Sequence, residues 1–187
     1  MAESTVFSDW PRIARRVRVP LGFALAFIYV WLARPNRNSI FIGTLIAIPG
    51  LWLRGFASGH LRKDRELTTS GPYGYTRNPL YLGTLVLATG FAAAARSWVI
   101  AAVMVVIFLG VYIPVIWSEE AFLRENFPEF SDYSARVPRL LPRLRAVERE
   151  RGAFSWELYR AHHEYNAILG TAAMVAILIA KLIWMSP

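Results

Sequence analysis

Residues 98–117 read WVIAAVMVVIFLGVYIPVIW, a run of apolar and aromatic side chains that contains no charge. A helix needs roughly 17–25 such residues to cross the hydrocarbon core of a bilayer, which is about 30 Å thick. The run therefore predicts a membrane-spanning helix, with Trp98 and Trp117 at the two interfaces, where tryptophan is enriched. Pro114 should bend the last turn of this helix.

Four further apolar runs flank this one, and each is long enough, or nearly so, to span: Val19–Ala33, Ser39–Ala57, Leu80–Ala95 and Ala167–Trp184. The sequence thus predicts an all-α fold, a polytopic membrane helix bundle of about five transmembrane helices. Pro49 predicts a kink in the second of the five runs. Only Arg96 and Ser97 separate the third run from the fourth, so these two helices should form a tight antiparallel hairpin.

The composition is that of a protein whose solvent is lipid. It is 55% hydrophobic and 18% charged, whereas soluble domains average about 45–50% and about 25%. The absence of cysteine excludes disulfides, thiolate metal sites and cysteine nucleophiles. The net charge of +8 could suit nucleic acid, but the basic residues lie between apolar runs. We attribute them to membrane topology and expect no nucleic-acid partner.

Lysine and arginine are distributed unevenly over the connecting segments. Sixteen fall in the N-terminal arm, the second loop and residues 118–166, against four on the opposite side, with Arg54 inside the second run. Because cytoplasmic loops carry the excess of positive charge, the pattern predicts a multi-pass protein of a bacterial inner membrane. Its N-terminus should be cytoplasmic and its C-terminus outside. The polar residues 1–9 do not resemble a signal peptide.

The first long cytoplasmic segment reads HLRKDRELTTSGPYGYTRNPLYLG (60–83). Its Gly-Pro and Asn-Pro dipeptides predict turns, and they place Arg77 at the membrane surface among Tyr73, Tyr75 and Tyr81. One interpretation is a binding loop. The alternative is an interfacial aromatic belt with a snorkelling arginine.

The second long cytoplasmic segment begins with SEEAFLRENFPEFSDYSARVPRLLP (118–142). Glu119 and Glu120 would end a membrane helix, where the helix dipole disfavours anions. We therefore expect compensation by Arg77, Arg124 or a bound ligand. A solvated acidic helix end is the alternative. Further along, residues 143–151 predict an exposed helix and residues 154–165 an amphipathic helix that leads into the last span.

Two other features of the chain invite a functional interpretation. Arg54 is a cation within an apolar run, which marks either a functional residue or a snorkelling side chain. His162 and His163 are adjacent, so on a helix they would project about 100° apart and would not converge on a metal ion as ligands at i and i+4 do. His60 is isolated in the sequence. We predict no metal site.

The two cytoplasmic motifs together are similar to those of the isoprenylcysteine carboxyl methyltransferase family and the related phospholipid N-methyltransferases. The similarity is carried by residues 71–73 (GPY), residues 77–83 (RNPLYLG) and Glu119-Glu120, followed by a VPR tail at residues 137–139. It covers roughly residues 40–142 of a single integral membrane domain, 1–187, and leaves the C-terminal region 150–187 outside. The family has histidine where this chain has Asn78, and asparagine cannot titrate.

The resemblance implies methyl transfer from S-adenosylmethionine to a lipophilic acceptor, either a prenyl-cysteine-like carboxylate or a phospholipid headgroup. It implies catalytic roles for Arg77, Asn78 and Glu120. It also implies that the cofactor-binding residues are Gly71, Pro72, Tyr73, Arg77, Asn78, Pro79, Tyr81, Glu119 and Glu120. The planar fork of an arginine suits the carboxylate of such a cofactor, and the glutamates suit its ammonium and ribose hydroxyls.

Two other functions are compatible with the sequence. An NADPH-dependent membrane reductase of the steroid-reductase type would want additional basic residues for a 2′-phosphate and more than five spans. A non-catalytic membrane scaffold would tolerate Glu119→Gln and Arg77→Ala. The oligomeric state and the role of the fifth span are left open by the sequence.

Overall fold

The computed structural model describes residues 3–62, 66–147 and 152–185. Every regular element in these ranges is helical, which confirms the all-α membrane bundle. The elements are α1 (Glu3–Leu32), α2 (Arg37–Ser58), α3 (Pro79–Ala95), α4 (Trp98–Ile107), α5 (Ile113–Asn126), α6 (Phe130–Arg136), α7 (Trp156–Ala161) and α8 (Tyr165–Met185).

Three helical stretches in the described ranges are long and apolar enough to cross a membrane, namely Arg37–Ser58, Trp98–Asn126 and Tyr165–Met185. Pro20–Leu32 and Pro79–Ala95 are shorter apolar helices. The structure therefore supports a membrane bundle, while the count of five spans and the orientation stay predictions. Pro49 lies within α2 without ending it.

Helices α2 and α3 pack so closely that their backbones touch. A Cβ atom added to Gly43 would lie 2.5 Å from the carbonyl oxygen of Gly90, and one added to Gly50 would lie 2.7 Å from that of Gly83. In lipid, such small residues allow helices to approach and gain packing energy. The antiparallel pair therefore holds both ends of the loop that joins it, residues 59–78, at one end of the bundle.

A wide helical turn precedes Pro114, while the bend predicted there stays a prediction. Residues Phe108–Tyr112 form a π-helical turn that joins α4 to α5. Proline lacks an N–H group and its ring clashes with the carbonyl four residues earlier, so a widened turn lets the helix continue past it. The helix continues to Asn126, so Glu119 and Glu120 lie beyond the apolar run.

The tight turn between the third and fourth spans is confirmed. Arg96 adopts a left-handed conformation (φ 50°), and the Ser97 side chain caps α4 by accepting from the Ile100 amide. At this end of the bundle Tyr29, Ala33, Ile40, Ala94, Ala95, Ile100 and Leu178 form a buried core. Lys181 of α8 donates to the carbonyls of Val30 and Trp31, which fastens the last helix to α1.

Two predicted helices in the C-terminal region are corrected by the structure. Residues 143–147 are not helical, because the amides of Arg143 and Val147 donate to carbonyls of the 59–78 loop; residues 148–151 lie outside the described ranges. The predicted amphipathic helix over 154–165 is limited to α7, since His163 has a positive φ of 53° and turns the chain into α8.

Candidate functional site

The 59–78 loop contains a compact turn that only glycine permits. Gly71 has φ +60°, and a Cβ atom there would lie 2.6 Å from Cδ2 of the His60 ring. Residues Gly71–Gly74 then form a short 3₁₀ helix that buries Pro72 and Tyr73. A side chain at position 71 would both strain the backbone and displace the imidazole.

Backbone hydrogen bonds tie this loop to the segment that follows α6. The Arg77 amide donates to the Pro138 carbonyl at 2.9 Å, and the Arg143 amide donates to the Tyr75 carbonyl at 3.0 Å. The Thr76 hydroxyl lies 3.1 Å from the Arg139 carbonyl, to which it donates. The two long polar segments, which the sequence predicts to face each other at one membrane surface, are thus joined through their main chains.

Tyr73 is also held in place by a residue of α6. The Tyr133 hydroxyl donates to the Tyr73 carbonyl at 2.8 Å, and the Tyr73 side chain is buried. Burial raises the pKa of Tyr73 above its usual value, and the nearby Tyr133 and Glu119 act in the same direction. The Tyr73 phenol therefore stays protonated and is a packing or hydrogen-bonding group rather than a base.

A buried carboxylate, that of Glu120, lies at the centre of the site with only 4% of the residue exposed. The Asn78 side-chain amide donates to its Oε1 at 3.0 Å. Arg139 donates to Oε2 twice, through Nε at 3.0 Å and Nη2 at 2.8 Å. Nε of Arg77 lies 3.3 Å from Oε1. Glu120 thus brings together residues from the loop, α5 and the segment after α6.

Asn78 occupies the position just before α3, where an asparagine side chain commonly accepts from the first helical amides. Here it makes no such cap. Its side-chain nitrogen donates instead to Glu120 and to the Arg139 carbonyl. The Asn78 amide is therefore committed to the site, and Pro79, whose missing N–H suits the first helical position, begins the helix.

Arg77 keeps donor capacity beyond its protein contacts. Its Nη1 donates to the Ser134 carbonyl at 3.2 Å. Among the residues that the structure describes, Arg77 Nε is the one buried side-chain nitrogen or oxygen without a hydrogen bond, because its 3.3 Å contact with Glu120 is ionic but not aligned. Burial lowers the pKa of Arg77 and the Glu120 charge opposes that shift. A guanidinium remains charged under such conditions, so this group can bind an anion.

Glu119 differs from its neighbour. It is half-buried, and of the described side chains only Tyr81 donates to it, from the hydroxyl to Oε1 at 2.8 Å. The Tyr81 ring in turn meets Tyr112 edge-on at 5.9 Å between ring centres. One carboxylate of the pair is therefore enclosed, and the other retains acceptor capacity.

Arg139 is the residue of this cluster that we did not single out from the sequence. We expected Arg77 or Arg124 to compensate the two glutamates, but Arg124 lies over the ring of Phe130, 5.9 Å from its centre. The available signal was the VPR tail at residues 137–139. Tyr75, one of the three tyrosines of the predicted binding loop, is 41% exposed.

Arg54, the cation within the second apolar run, has a partner far along the chain. Its Nε and Nη2 both lie 2.5 Å from Glu164 Oε1, and Nη1 donates to the hydroxyl of Thr84. Glu164 stands in the turn between α7 and α8. The pair therefore joins α2, α3 and the C-terminal region. The sequence suggested either a functional residue or a snorkelling side chain at Arg54, and neither interpretation included this ion pair.

A polar cleft of about 960 Å³ opens beside the loop. It is lined by His60, Thr68, Thr69, Ser70, Tyr133, Arg136 and Gly152, among others.

Nδ1 of His60 lies 2.8 Å from the Phe56 carbonyl. Nδ1 of His162 and of His163 contact the Ser58 carbonyl and the Tyr165 hydroxyl. In the described part of the chain no three His, Cys, Asp or Glu residues are grouped as a metal site.

Comparison with known proteins identifies the family of this chain. A family model described as phospholipid methyltransferase matches residues 22–129, which include Arg77, Asn78 and both glutamates but not Arg139. The chain is 40% identical over 115 residues to the nickel-cobalt-cadmium resistance protein NccN of Alcaligenes xylosoxydans xylosoxydans, covering 61% of this chain and 53% of that protein.

A second relative is the cobalt-zinc-cadmium resistance protein CzcN of Cupriavidus metallidurans, 36% identical over 126 residues, covering 67% of this chain and 56% of that protein. The chain thus spans about half the length of the curated relatives it matches. No solved structure matches it. On the match over residues 22–129, this chain belongs to the phospholipid methyltransferase family.

Proposed function

We propose that this chain is an integral membrane methyltransferase that uses S-adenosylmethionine and methylates a lipophilic acceptor. The observation that carries the proposal is the cluster of Arg77, Asn78, Glu119 and Glu120 at the end of the membrane helices, within the region that matches the family. A reductase would want additional basic residues for a 2′-phosphate, and a scaffold has no need of a partly open carboxylate beside a buried arginine.

The charged groups of this cofactor find counterparts in the cluster. Its carboxylate suits Arg77, whose Nη2 contacts no described residue and whose planar fork favours carboxylates. Its ammonium suits Glu119, which has one donor, Tyr81, among the described side chains. The ring of Tyr81, whose hydroxyl donates to Glu119, would add attraction to a bound cation, whereas Tyr73 is buried inside the protein.

When bound, S-adenosylmethionine supplies a methyl group that its sulfonium activates for in-line displacement. The chain's own residues need only bind, orient and desolvate the reactants. Arg77 and Glu119 would fix the charged end, and Glu120 would hold Arg77 and Asn78 in place. Asn78 already donates to Glu120 and has no titratable proton, so it cannot accept a proton from the acceptor.

This chemistry bears on the acceptor. A prenyl-cysteine-like carboxylate is already an anion at neutral pH and needs no base, whereas the amine of a phospholipid headgroup must first lose a proton. Both acceptors carry hydrocarbon, which explains a site at the end of membrane helices. Removal of the acceptor's hydrocarbon tail should therefore abolish activity, and a tail-free acceptor methylated at the same rate would contradict lateral entry from the bilayer.

The first test is titration calorimetry of the detergent-purified protein with S-adenosylmethionine. We expect saturable binding in the micromolar range for the wild type and its loss in Glu119→Gln, because the neutral amide cannot pair with the ammonium. Glu125→Gln is the matched control, since Glu125 is exposed on the same helix and should bind as the wild type does.

No binding by folded wild-type protein would overturn the methyltransferase proposal. NADPH would then be titrated in its place. Binding of NADPH would favour the reductase, and binding of neither would favour the scaffold.

A second candidate function comes from the names of the two relatives, both of which refer to resistance to divalent metal ions. A role of this chain in such resistance is tested by growth of a sensitive host on nickel, cobalt and cadmium with the wild type or Glu119→Gln. Resistance that requires Glu119 would make methyl transfer part of that role. Resistance that the variant retains would separate the two functions.

A further inference from the structure

Arg139 lies outside the region that the family model matches, yet it makes the most extensive side-chain contact with Glu120. We infer that Arg139 is a positioning residue of the site, which acts through Glu120 to hold Arg77 and Asn78 in the arrangement that a ligand meets. The carboxylate left to face the ligand is that of Glu119. This inference rests on the proposed function.

The distribution of donors around Glu120 is the first argument. A carboxylate offers about four lone-pair positions on its two oxygens. Oε2 receives both bonds from Arg139, while Oε1 receives Asn78 and the ionic contact of Arg77. Three hydrogen bonds and the ionic contact of Arg77 therefore surround Glu120, whereas Glu119 accepts from Tyr81 alone among the described side chains.

The second argument concerns the rotation of a carboxylate that is held through only one of its oxygens. The terminal torsion of glutamate is broad and roughly two-fold, so contacts on one oxygen do not fix the orientation of the group. With Arg139 on Oε2, Oε1 is directed towards Asn78 and Arg77. Without Arg139, the Arg77 guanidinium could turn to occupy both oxygens, and its fork would then be directed at Glu120 instead of a ligand carboxylate.

The third argument is that the main chain of this segment is held independently of the Arg139 side chain. The Arg139 carbonyl accepts from Thr76 Oγ1 and Asn78 Nδ2, each at 3.1 Å, and the Arg77 amide donates to the Pro138 carbonyl. A substitution at position 139 leaves these bonds available. The Arg139 side chain is itself 43% exposed, so its replacement creates no buried cavity.

The test compares Arg139→Gln and Arg139→Lys with Arg143→Gln, a matched control whose guanidinium donates to the Arg136 carbonyl and not to Glu120. The wild type is titrated with S-adenosylmethionine first. We expect Arg139→Gln to bind about 10-fold more weakly, since a charge-assisted bidentate contact is lost, and Arg139→Lys about 3-fold more weakly, since a point charge replaces a fork. The control should bind as the wild type, and ligand-free melting temperatures should stay within a few degrees.

The same substitutions are then made in a Glu120→Gln background. Because Arg139 acts through Glu120, Arg139→Gln should have almost no further effect on affinity there. An undiminished effect would show that Arg139 contacts the ligand itself and would overturn the inference. Wild-type affinity in Arg139→Gln would also overturn the inference. A third contrary result would be a loss of affinity that Arg139→Lys does not restore and that accompanies a fall in melting temperature. A wild type that binds no cofactor is the separate failure of the proposed function.

Discussion

Two clusters in this molecule pair arginine with a buried glutamate across long stretches of chain, and they differ in how completely they are closed. In the first, Arg54 meets Glu164 and Thr84 at short distances, one cation to one anion. In the second, Arg77 and Arg139 share Glu120 with Asn78, and a further carboxylate, Glu119, stands next in sequence.

The first cluster is a fastening, an ion pair that joins helices, because all three side-chain nitrogens of Arg54 contact Glu164 or Thr84. It ties α2 and α3 to the turn between α7 and α8, and an intramembrane cation that invites a functional interpretation is instead neutralised by a residue 110 positions away. In the second cluster Arg77 Nη2 contacts no described residue, and Glu119 accepts from Tyr81 alone among the described side chains. The two clusters therefore differ in their arginines: protein groups occupy every side-chain nitrogen of Arg54, but not every one of Arg77.

The largest expected effect separates the two arginines by their influence on binding. Arg77→Met should weaken S-adenosylmethionine binding about 100-fold, roughly 3 kcal/mol, because charge-assisted bonds to the ligand are lost. Arg54→Met should leave the affinity of the folded protein within about two-fold, although it lowers stability. Calorimetry on both variants checks this, and an equal loss of affinity would show that the two clusters do not differ in function.

The next effect tests whether the Arg54 cluster is only a fastening. Glu164→Ala should lower the free energy of unfolding by about 2 kcal/mol, because it leaves Arg54 without its anion inside the bundle; Arg54 keeps some solvent contact, so the cost is below the full buried-pair value. The double variant Arg54→Met/Glu164→Leu should recover most of this loss. Thermal unfolding in detergent measures all three proteins, and a double variant no better than Glu164→Ala would contradict the interpretation.

The smallest effect compares one hydroxyl from each cluster. Thr84→Val removes the Arg54 contact, and Tyr81→Phe removes the donor to Glu119. Each should cost about 1 kcal/mol of stability, the usual net value of one hydrogen bond. Only Tyr81→Phe should also change cofactor affinity, by a few-fold. A change in affinity for Thr84→Val, measured by the same titration, would link the fastening to the site.

Much of the fold and of the site could be predicted from local patterns. The apolar runs predicted the membrane helices, since a bilayer demands continuous apolar length, and Arg96-Ser97 predicted the tight turn. The helix predicted over 143–151 is wrong for residues 143–147, and the one predicted over 154–165 is limited to Trp156–Ala161, because distant partners bind the amides and side chains of these segments. The Arg143 amide donates to Tyr75, and His162 reaches the Ser58 carbonyl.

The sequence predicted residues that the structure brings together, whose roles stay predictions, but it did not predict which of them contact one another. Arg77, Asn78, Tyr81 and both glutamates lie together, yet local sequence could not reveal that Arg139 grips Glu120 or that the neighbouring glutamates have different surroundings. Adjacent residues on a helix point about 100° apart, and only the packing of α3 and the 137–147 segment against α5 determines which of them is enclosed.

The sequence by itself determined the solvent, the helical class and the motif residues of this protein, because apolar length and turn chemistry act within a few residues of chain. Only the tertiary structure decided how the charges pair. A buried charge must find a partner wherever one lies, and the partners of Arg54 and Glu120 come from chain segments that the loops and helices bring together. Local patterns specify elements, whereas charge neutralisation inside the bundle is a property of the whole fold.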